Sequence, residues 1–171
     1  AHAQGELFGV DAQSRVLQFA SAAFDASVWE MAMTLPRGAC LVLAPRHALM
    51  PGDPLRTTLR ELAITHATLP SAGLSACGDA ELPALQCLIA AGDVCPPALV
   101  QRWHDKLQFV NAYGPTESTV CASAQVCHQP YGTIVPIGRP IPNMRMYVLD
   151  AHGEPVPVGV EGEIHIGGAG V

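Results

Sequence analysis

Lysine is almost missing from this sequence of 171 residues; Lys106 is the only one. The other basic residues are arginines, no basic cluster exists, and the formal net charge is −6. That argues against nucleic acid as a partner. Charged residues make up only 14% and aromatics 5%. No apolar run reaches the length of a membrane span, which argues against a membrane partner. The N-terminus lacks the charged and apolar regions of a signal peptide. A cytoplasmic protein is the expectation. None of the six cysteines (Cys40, Cys77, Cys87, Cys95, Cys121, Cys127) makes a C-x-x-C pair, and their spacing fits no zinc template. Reduced thiols serving as small hydrophobes are expected instead. No G-x-G-x-x-G follows the first apolar strand and no G-x-S-x-G occurs, which disfavours a dinucleotide dehydrogenase and a serine hydrolase.

What is present is apolar and ordered. Hydrophobic residues reach 49%, enough for a core in one domain, or one and a fraction. Arg15–Ala20 reads as a buried strand. Ser27-Val-Trp-Glu30 has the spacing of a capping box, opening a helix that ends before Pro36 and Gly38. Ala39–Ala44 is a second apolar strand. Leu55–Ile64 has helical spacing, His66–Leu69 is a short strand stopped by Pro70, and Leu85–Ala90 is another strand. Pro96-Pro97 opens a helix through Trp103, and Leu107–Ala112 follows as a strand. Alternation of this kind predicts an α/β fold: a flavodoxin-like parallel sheet with helices on both faces. Past Cys121, prolines and glycines recur. Short strands are expected at Met144–Leu149 and Glu163–Ile166. Residues 1–125 are expected to form the α/β subdomain and 126–171 the beginning of a small, barrel-like β subdomain. The chain lacks an initiator methionine and stops inside Gly167-Gly-Ala-Gly-Val171, so a piece of something larger is expected.

The most telling segment is Asn111-Ala-Tyr-Gly-Pro-Thr-Glu-Ser-Thr119, which follows a strand directly. In an open α/β sheet, the loop at the C-terminal end of a strand is where ligands bind. This one offers an amide (Asn111), an aromatic face (Tyr113), a hydroxyl (Thr116) and a carboxylate (Glu117). Those groups suit a purine, a phosphate and a magnesium ion. A plainer reading makes Thr116 a helix cap with Glu117 near the helix N-terminus. Asp25 reads equally as an N-cap, although the Ser27/Glu30 box would leave it free. Ile89-Ala-Ala-Gly-Asp93 reads on its own as a strand-to-helix turn. His104, His128 and His152 have no partner cluster and read as surface or packing residues. Lys106 reads as a solvated charge.

Three segments, in order and at matching spacing, resemble the adenylation domains of nonribosomal peptide synthetases: Phe24-Asp-Ala-Ser-Val-Trp-Glu-Met31, Asn111-Ala-Tyr-Gly-Pro-Thr-Glu117 and Gly162-Glu-Ile-His-Ile-Gly-Gly168. The resemblance covers essentially the whole chain. It implies activation of an amino acid with ATP to an aminoacyl-AMP, then transfer to the phosphopantetheine thiol of a neighbouring carrier domain. Such a domain sits beside carrier and condensation domains. By the same resemblance, Asp25 pairs with the substrate ammonium, helped by the Gly114 carbonyl. Asn111, Ala112, Tyr113 and Gly114, with Gly92 and Asp93 across from them, hold ATP or AMP. Thr116 contacts the α-phosphate and Glu117 binds Mg2+, which makes these two the catalytic pair. The family's phosphate loop, ribose-binding aspartate and catalytic lysine fall outside the matched segments, and this piece alone is expected to be inactive.

The family's substrate-binding positions fall on Asp25, Ala26, Trp29, Thr68, Ile89, Ala91, Ala112, Gly114, Val120 and Cys121. Ile89 and Ala91 lie two apart on a strand and share a face. Trp29 supplies a flat wall, Ala91 and Ala112 leave room, and Asp25 carries the only charge. A charged side chain would be desolvated there without a partner. The set resembles that of phenylalanine-activating domains, so phenylalanine is the expected substrate, with tyrosine poorer. Two alternatives remain open. One is an acyl- or aryl-CoA ligase of the same superfamily; the other is a non-catalytic nucleotide-binding α/β module.

Overall fold

The computed structural model describes residues 2–78 and 81–171. Its chain runs α1 (His2–Leu7), β1 (Arg15–Leu17), α2 (Asp25–Thr34), β2 (Cys40–Val42), α3 (Asp53–Glu61), β3 (His66–Leu69), α4 (Ser71–Ala76), β4 (Cys87–Ala90), α5 (Pro97–Trp103), β5 (Gln108–Tyr113), β6 (Ser123–Cys127), β7 (Arg139–Pro140), β8 (Met144–Leu149) and β9 (Glu163–Gly168). Seven strands form one sheet in the order β2-β1-β3-β4-β5-β6-β7. The first five are parallel; β6 and β7 add antiparallel. β8 and β9 form a separate antiparallel pair.

The first five strands follow the 2-1-3-4-5 order of doubly wound sheets. Each connection crosses over through a helix, as parallel neighbours require. Alternate side chains sort the core into two layers. Leu17, Ala67, Leu69, Leu88, Ala90 and Phe109 face α3, α4 and α5 and pack with Leu55, Leu59, Leu74, Leu99 and Trp103. Val16, Cys87, Ile89, Val110 and Ala112 face the other side and pack with Phe8, Trp29 and Met33. The Phe8 and Trp29 rings meet edge to face, 5.9 Å apart. All of β3 and β4 is buried, as strands covered on both faces must be. Five of the six cysteines are buried and all are free thiols.

Several local expectations are revised. The strand expected over 15–20 pairs only through Leu17, and that over 39–44 only from Cys40 to Val42. The Ser27/Glu30 capping box does not form. The helix starts three residues earlier, with Phe24 rather than Ser27 at the N-cap, and Ser27 Oγ donates to the Phe24 carbonyl. Glu30 is fully buried and binds elsewhere. Strand β6 crosses residues 125–126, where the change of subdomain is expected from the sequence, and pairs with β5 in the main sheet. Lys106 is not merely solvated: its ammonium sits 5.6 Å from the centre of the Trp103 ring.

Candidate functional site: two clefts on a shared wall

The order of the first five strands reverses between β1 and β3, and the crevice past their C-terminal ends is the place such sheets bind ligands. A cleft of about 540 Å³ opens there. The segment after β1 supplies Phe19, Ala20 and Ser21, and α2 supplies Asp25, Ala26, Trp29 and Glu30. Thr68 and Leu69 come from the end of β3, Ala91 and Gly92 follow β4, and Ala112, Gly114, Thr116 and Val120 come from β5 and its loop. A second cleft, about 550 Å³, lies on the other side of the β4 and β5 ends. Gly92, Asp93, Asn111, Tyr113 and Gly114 line it, with Ile134, Val135 and Ile137 opposite. Gly92, Ala112 and Gly114 border both clefts. Both volumes fall in the range of small-molecule sites, roughly 300–1,000 Å³.

Asp25 sits at the first position of α2, half-buried on the rim of the first cleft. Its Oδ1 accepts from the Ala26 N–H at 2.7 Å, so Asp25 itself serves the helix terminus. The other carboxylate oxygen remains available as an acceptor. Glu30, a second acid on this cleft, is wholly buried. Burial pushes its carboxyl up to about 7, against the pull of the Ala20 and Phe19 N–H groups. Thr68 Oγ1 and Trp29 Nε1 are buried without a protein partner.

Eight of the ten expected substrate-binding residues line the first cleft: Asp25, Ala26, Trp29, Thr68, Ala91, Ala112, Gly114 and Val120. Ile89 lies fully buried in the layer behind Trp29 and Ala112. Cys121 is buried and lies in a smaller recess with Gln4, Ser118 and Ile141. Burial lifts its thiol to about 11, so it is neutral. Of the expected nucleotide residues, Gly92, Asp93, Asn111, Ala112, Tyr113 and Gly114 line the second cleft, whereas Thr116 lies on the first. Asn111 donates its amide N–H to the Pro136 carbonyl at 2.9 Å. Its side chain therefore ties down the opposite wall and leaves its amide oxygen to accept. Glu117 is exposed on the 3₁₀ turn Thr116–Ser118 and lines neither cleft. That turn is capped by the Pro115 backbone, and Thr116 makes no side-chain cap.

The Ile134–Ile137 wall escapes sequence reasoning. Ser123 Oγ donates to Ile137 O at 2.8 Å, which with the Asn111 bond fixes the segment across from Tyr113. Ile134 stays 78% exposed and Tyr113 37%, an apolar lip beside an aromatic face. Apolar residues between Gly132, Pro136 and Gly138 are the only signal the sequence carries for it.

Residues 1–171 match the AMP-binding enzyme family. The chain belongs to that family. It is 50% identical over 166 residues to chondramide synthase cmdD of Chondromyces crocatus, covering 95% of this chain and 4% of that protein. It is 45% identical over 164 residues to bacitracin synthase 3 of Bacillus licheniformis, covering 95% of this chain and 2% of that protein. Among solved structures, the nonribosomal peptide synthetase FmoA3 in its AMPPNP-bound form superposes with a TM-score of 0.88 at 28% identity, over 96% of this chain and 19% of that one. The chain thus spans a small part of the proteins it resembles, and it corresponds to part of a nonribosomal peptide synthetase adenylation domain. Among the described residues no helix is long and apolar enough to cross a membrane.

Proposed function

We propose that the first cleft of this AMP-binding enzyme segment takes an amino acid, that the second takes the adenine of ATP, and that the parent protein joins them as an aminoacyl-AMP. The observation that carries this reading is the shared wall. Two clefts of similar size meet along Gly92, Ala112 and Gly114, so ligands in each lie side by side. Joining two bound substrates is chiefly a matter of such positioning. The family match and the AMPPNP carried by FmoA3 support a nucleotide in the second cleft. An adenine between Tyr113 and the Ile134–Ile137 wall would cover exposed apolar surface, and the Asn111 amide oxygen suits its amino group.

Phenylalanine is the proposed amino acid. Trp29, Leu69, Ala91, Ala112 and Val120 give an apolar interior with room for a ring. Asp25 at the rim matches the ammonium. Thr116, which lines the first cleft on the loop that borders both, would act where the carboxylate meets the α-phosphate, and Thr116 and Glu117 are the proposed catalytic pair. Glu117, exposed on the same turn, would hold Mg2+ together with the nucleotide phosphates, since one carboxylate plus phosphates is a common magnesium arrangement. When bound, that ion would neutralise charge on the phosphates. The acceptor of the aminoacyl group would be the phosphopantetheine thiol of an adjacent carrier domain, with a condensation domain beside it.

ATP–pyrophosphate exchange by the complete domain that carries this chain, over a panel of amino acids, tests the reading. Phenylalanine is expected to turn over best. Thr68 Oγ1 is the unpartnered hydroxyl beside the cleft, so tyrosine belongs in the panel as the nearest competitor. Asp25→Ala should cut amino-acid-dependent exchange about 100-fold, equivalent to about 3 kcal/mol for a desolvated ammonium stripped of its partner. Best turnover with an acidic, basic or small residue would remove phenylalanine. A preference for the acid lacking the amine would replace the reading with a CoA ligase.

A further inference from the structure

We propose that Glu30 is a positioning residue for the amino-acid cleft: it holds the segment Gln18–Ala20, whose Phe19 and Ala20 line that cleft, against helix α2. The proposal rests on the reading of the first cleft as the amino-acid pocket. The last register pair of strand β1 is Leu17 with Val42; the Gln18 N–H still donates to Val42 O at 2.9 Å, and past it the chain leaves the sheet. The carboxylate receives it there. Glu30 Oε1 accepts from the Phe19 N–H at 3.3 Å and from the Ala20 N–H at 3.2 Å. Oε2 accepts from the Ala20 N–H at 3.1 Å and from Gln18 Nε2 at 2.5 Å. Gln18 Nε2 also reaches the carbonyls of Ala20 and Ser27, tying the segment to the helix a second time. The next residues, Ser21 to Phe24, form the turn that delivers Asp25 to the rim, with the Phe24 N–H donating to Ser21 O at 2.9 Å. Asp25 and the Phe19–Ser21 wall therefore share one anchor.

All the donors aimed at Glu30 are N–H groups, so the ionised carboxylate is the form that satisfies them. A protonated carboxyl would bring its own O–H to a site already filled with donors. Among the described residues no cation faces it. Arg15 on β1 donates to Leu62 O, Arg37 after α2 donates to His2 O, and His2 and Glu6 on α1 lie against each other. Strand β2 contributes Cys40, Leu41 and Val42, none of them charged. Asp25 is the only other acid among the residues lining the cleft. Amino-acid capture should therefore strengthen as Glu30 ionises, while the nucleotide cleft, which Glu30 does not border, should not respond.

The test is exchange kinetics of the complete domain, wild type against Glu30→Gln, across about pH 6 to 8.5. Wild-type kcat/KM for the amino acid should rise through neutrality. Glu30→Gln, which keeps the shape but replaces an acceptor with a donor, should raise the amino-acid KM about tenfold at the upper end, hold the ATP KM within about twofold, and flatten that rise. Glu30→Asp should recover part of the loss. Should Glu30→Gln fail to fold, Gln18→Leu removes one donor while leaving the acid, and should raise the amino-acid KM alone. Equal increases in both KM values, or a pH rise that survives Glu30→Gln, would overturn the inference. An amino-acid KM left unchanged by Asp25→Ala in the complete domain would instead overturn the pocket reading beneath it, and the inference with it.

Discussion

Two buried ionisable residues, Glu30 and His66, pull the stability of this fold in opposite directions with pH. His66 is buried on β3, with its ring nitrogens 2.8 Å from Thr65 Oγ1 and 3.0 Å from Phe8 O. Burial lowers its pKa below 6.5. As pH falls through that range the unfolded chain takes a proton that the folded one resists, so stability is lost toward acid. Glu30 does the reverse. Its folded value of about 7 lies above its ordinary 4.5, so the folded state holds the proton more tightly. The stability this confers is complete below about pH 4.5 and is lost as pH rises toward 7. Urea unfolding of the complete domain with Glu30→Gln should reveal the effect. Relative to wild type, the variant should gain up to about 3 kcal/mol between pH 5 and pH 8. A difference that stays constant with pH would show that the carboxyl ionises equally easily in both states. An acid kept in place at this cost fits a residue retained for the wall it anchors.

At the scale of elements, the loop after β5 does most with least. It doubles back at once: the Ala122 N–H donates to Tyr113 O at 2.8 Å. A Cβ on Gly114 would lie 2.6 Å from both Ala122 N and Val120 O. Thr119 and Val120 take positive φ of 56° and 71°, an unfavourable region for β-branched residues costing about 1–3 kcal/mol each. Ser118 Oγ donating to Pro115 O and Thr119 Oγ1 donating to Gly170 O hold the turn in that state. Gly114→Ala should destabilise the domain by about 1–3 kcal/mol and weaken both substrates, because the loop borders both clefts. Thermal unfolding with exchange kinetics checks this; an unchanged variant would mean that the loop opens freely. The sequence made this loop legible because a strand followed by Gly-Pro leaves the chain few conformations. It also marked β3, bounded by Pro70, to the residue. It misled at Ser27/Glu30, where a capping spacing hid an acid buried by tertiary contacts. Helix α4 has no side-chain cap, and both α4 and α1, at six residues each, are too short to show an apolar period that would announce them. Strand β6 shows no clean alternation, since its interior residues are all only half-buried.

At the scale of the whole molecule, the sheet divides two recognition tasks between neighbouring strand ends. Strands β1 and β3 with helix α2 face one cleft; the β6–β7 connection faces the other; β4 and β5 stand between. Lys106, just before β5, is at the opposite end of the sheet, about 20 Å along the strand direction, and belongs to neither. This division has a kinetic signature. Ala91 borders only the first cleft, Ile134 only the second, and Ala112 both. Ala91→Leu should raise the amino-acid KM about tenfold or more and shift preference to smaller side chains, with the ATP KM within about twofold. Ile134→Ser, on an exposed position, should leave stability nearly unchanged and raise the ATP KM alone by a few-fold, about the loss of one methylene-rich contact. Ala112→Val should raise both. Steady-state exchange kinetics with each substrate varied in turn separates the three patterns. If Ala91→Leu and Ile134→Ser moved the same KM, the clefts would be one continuous site, and the wall formed by Gly92, Ala112 and Gly114 would not divide the ligands.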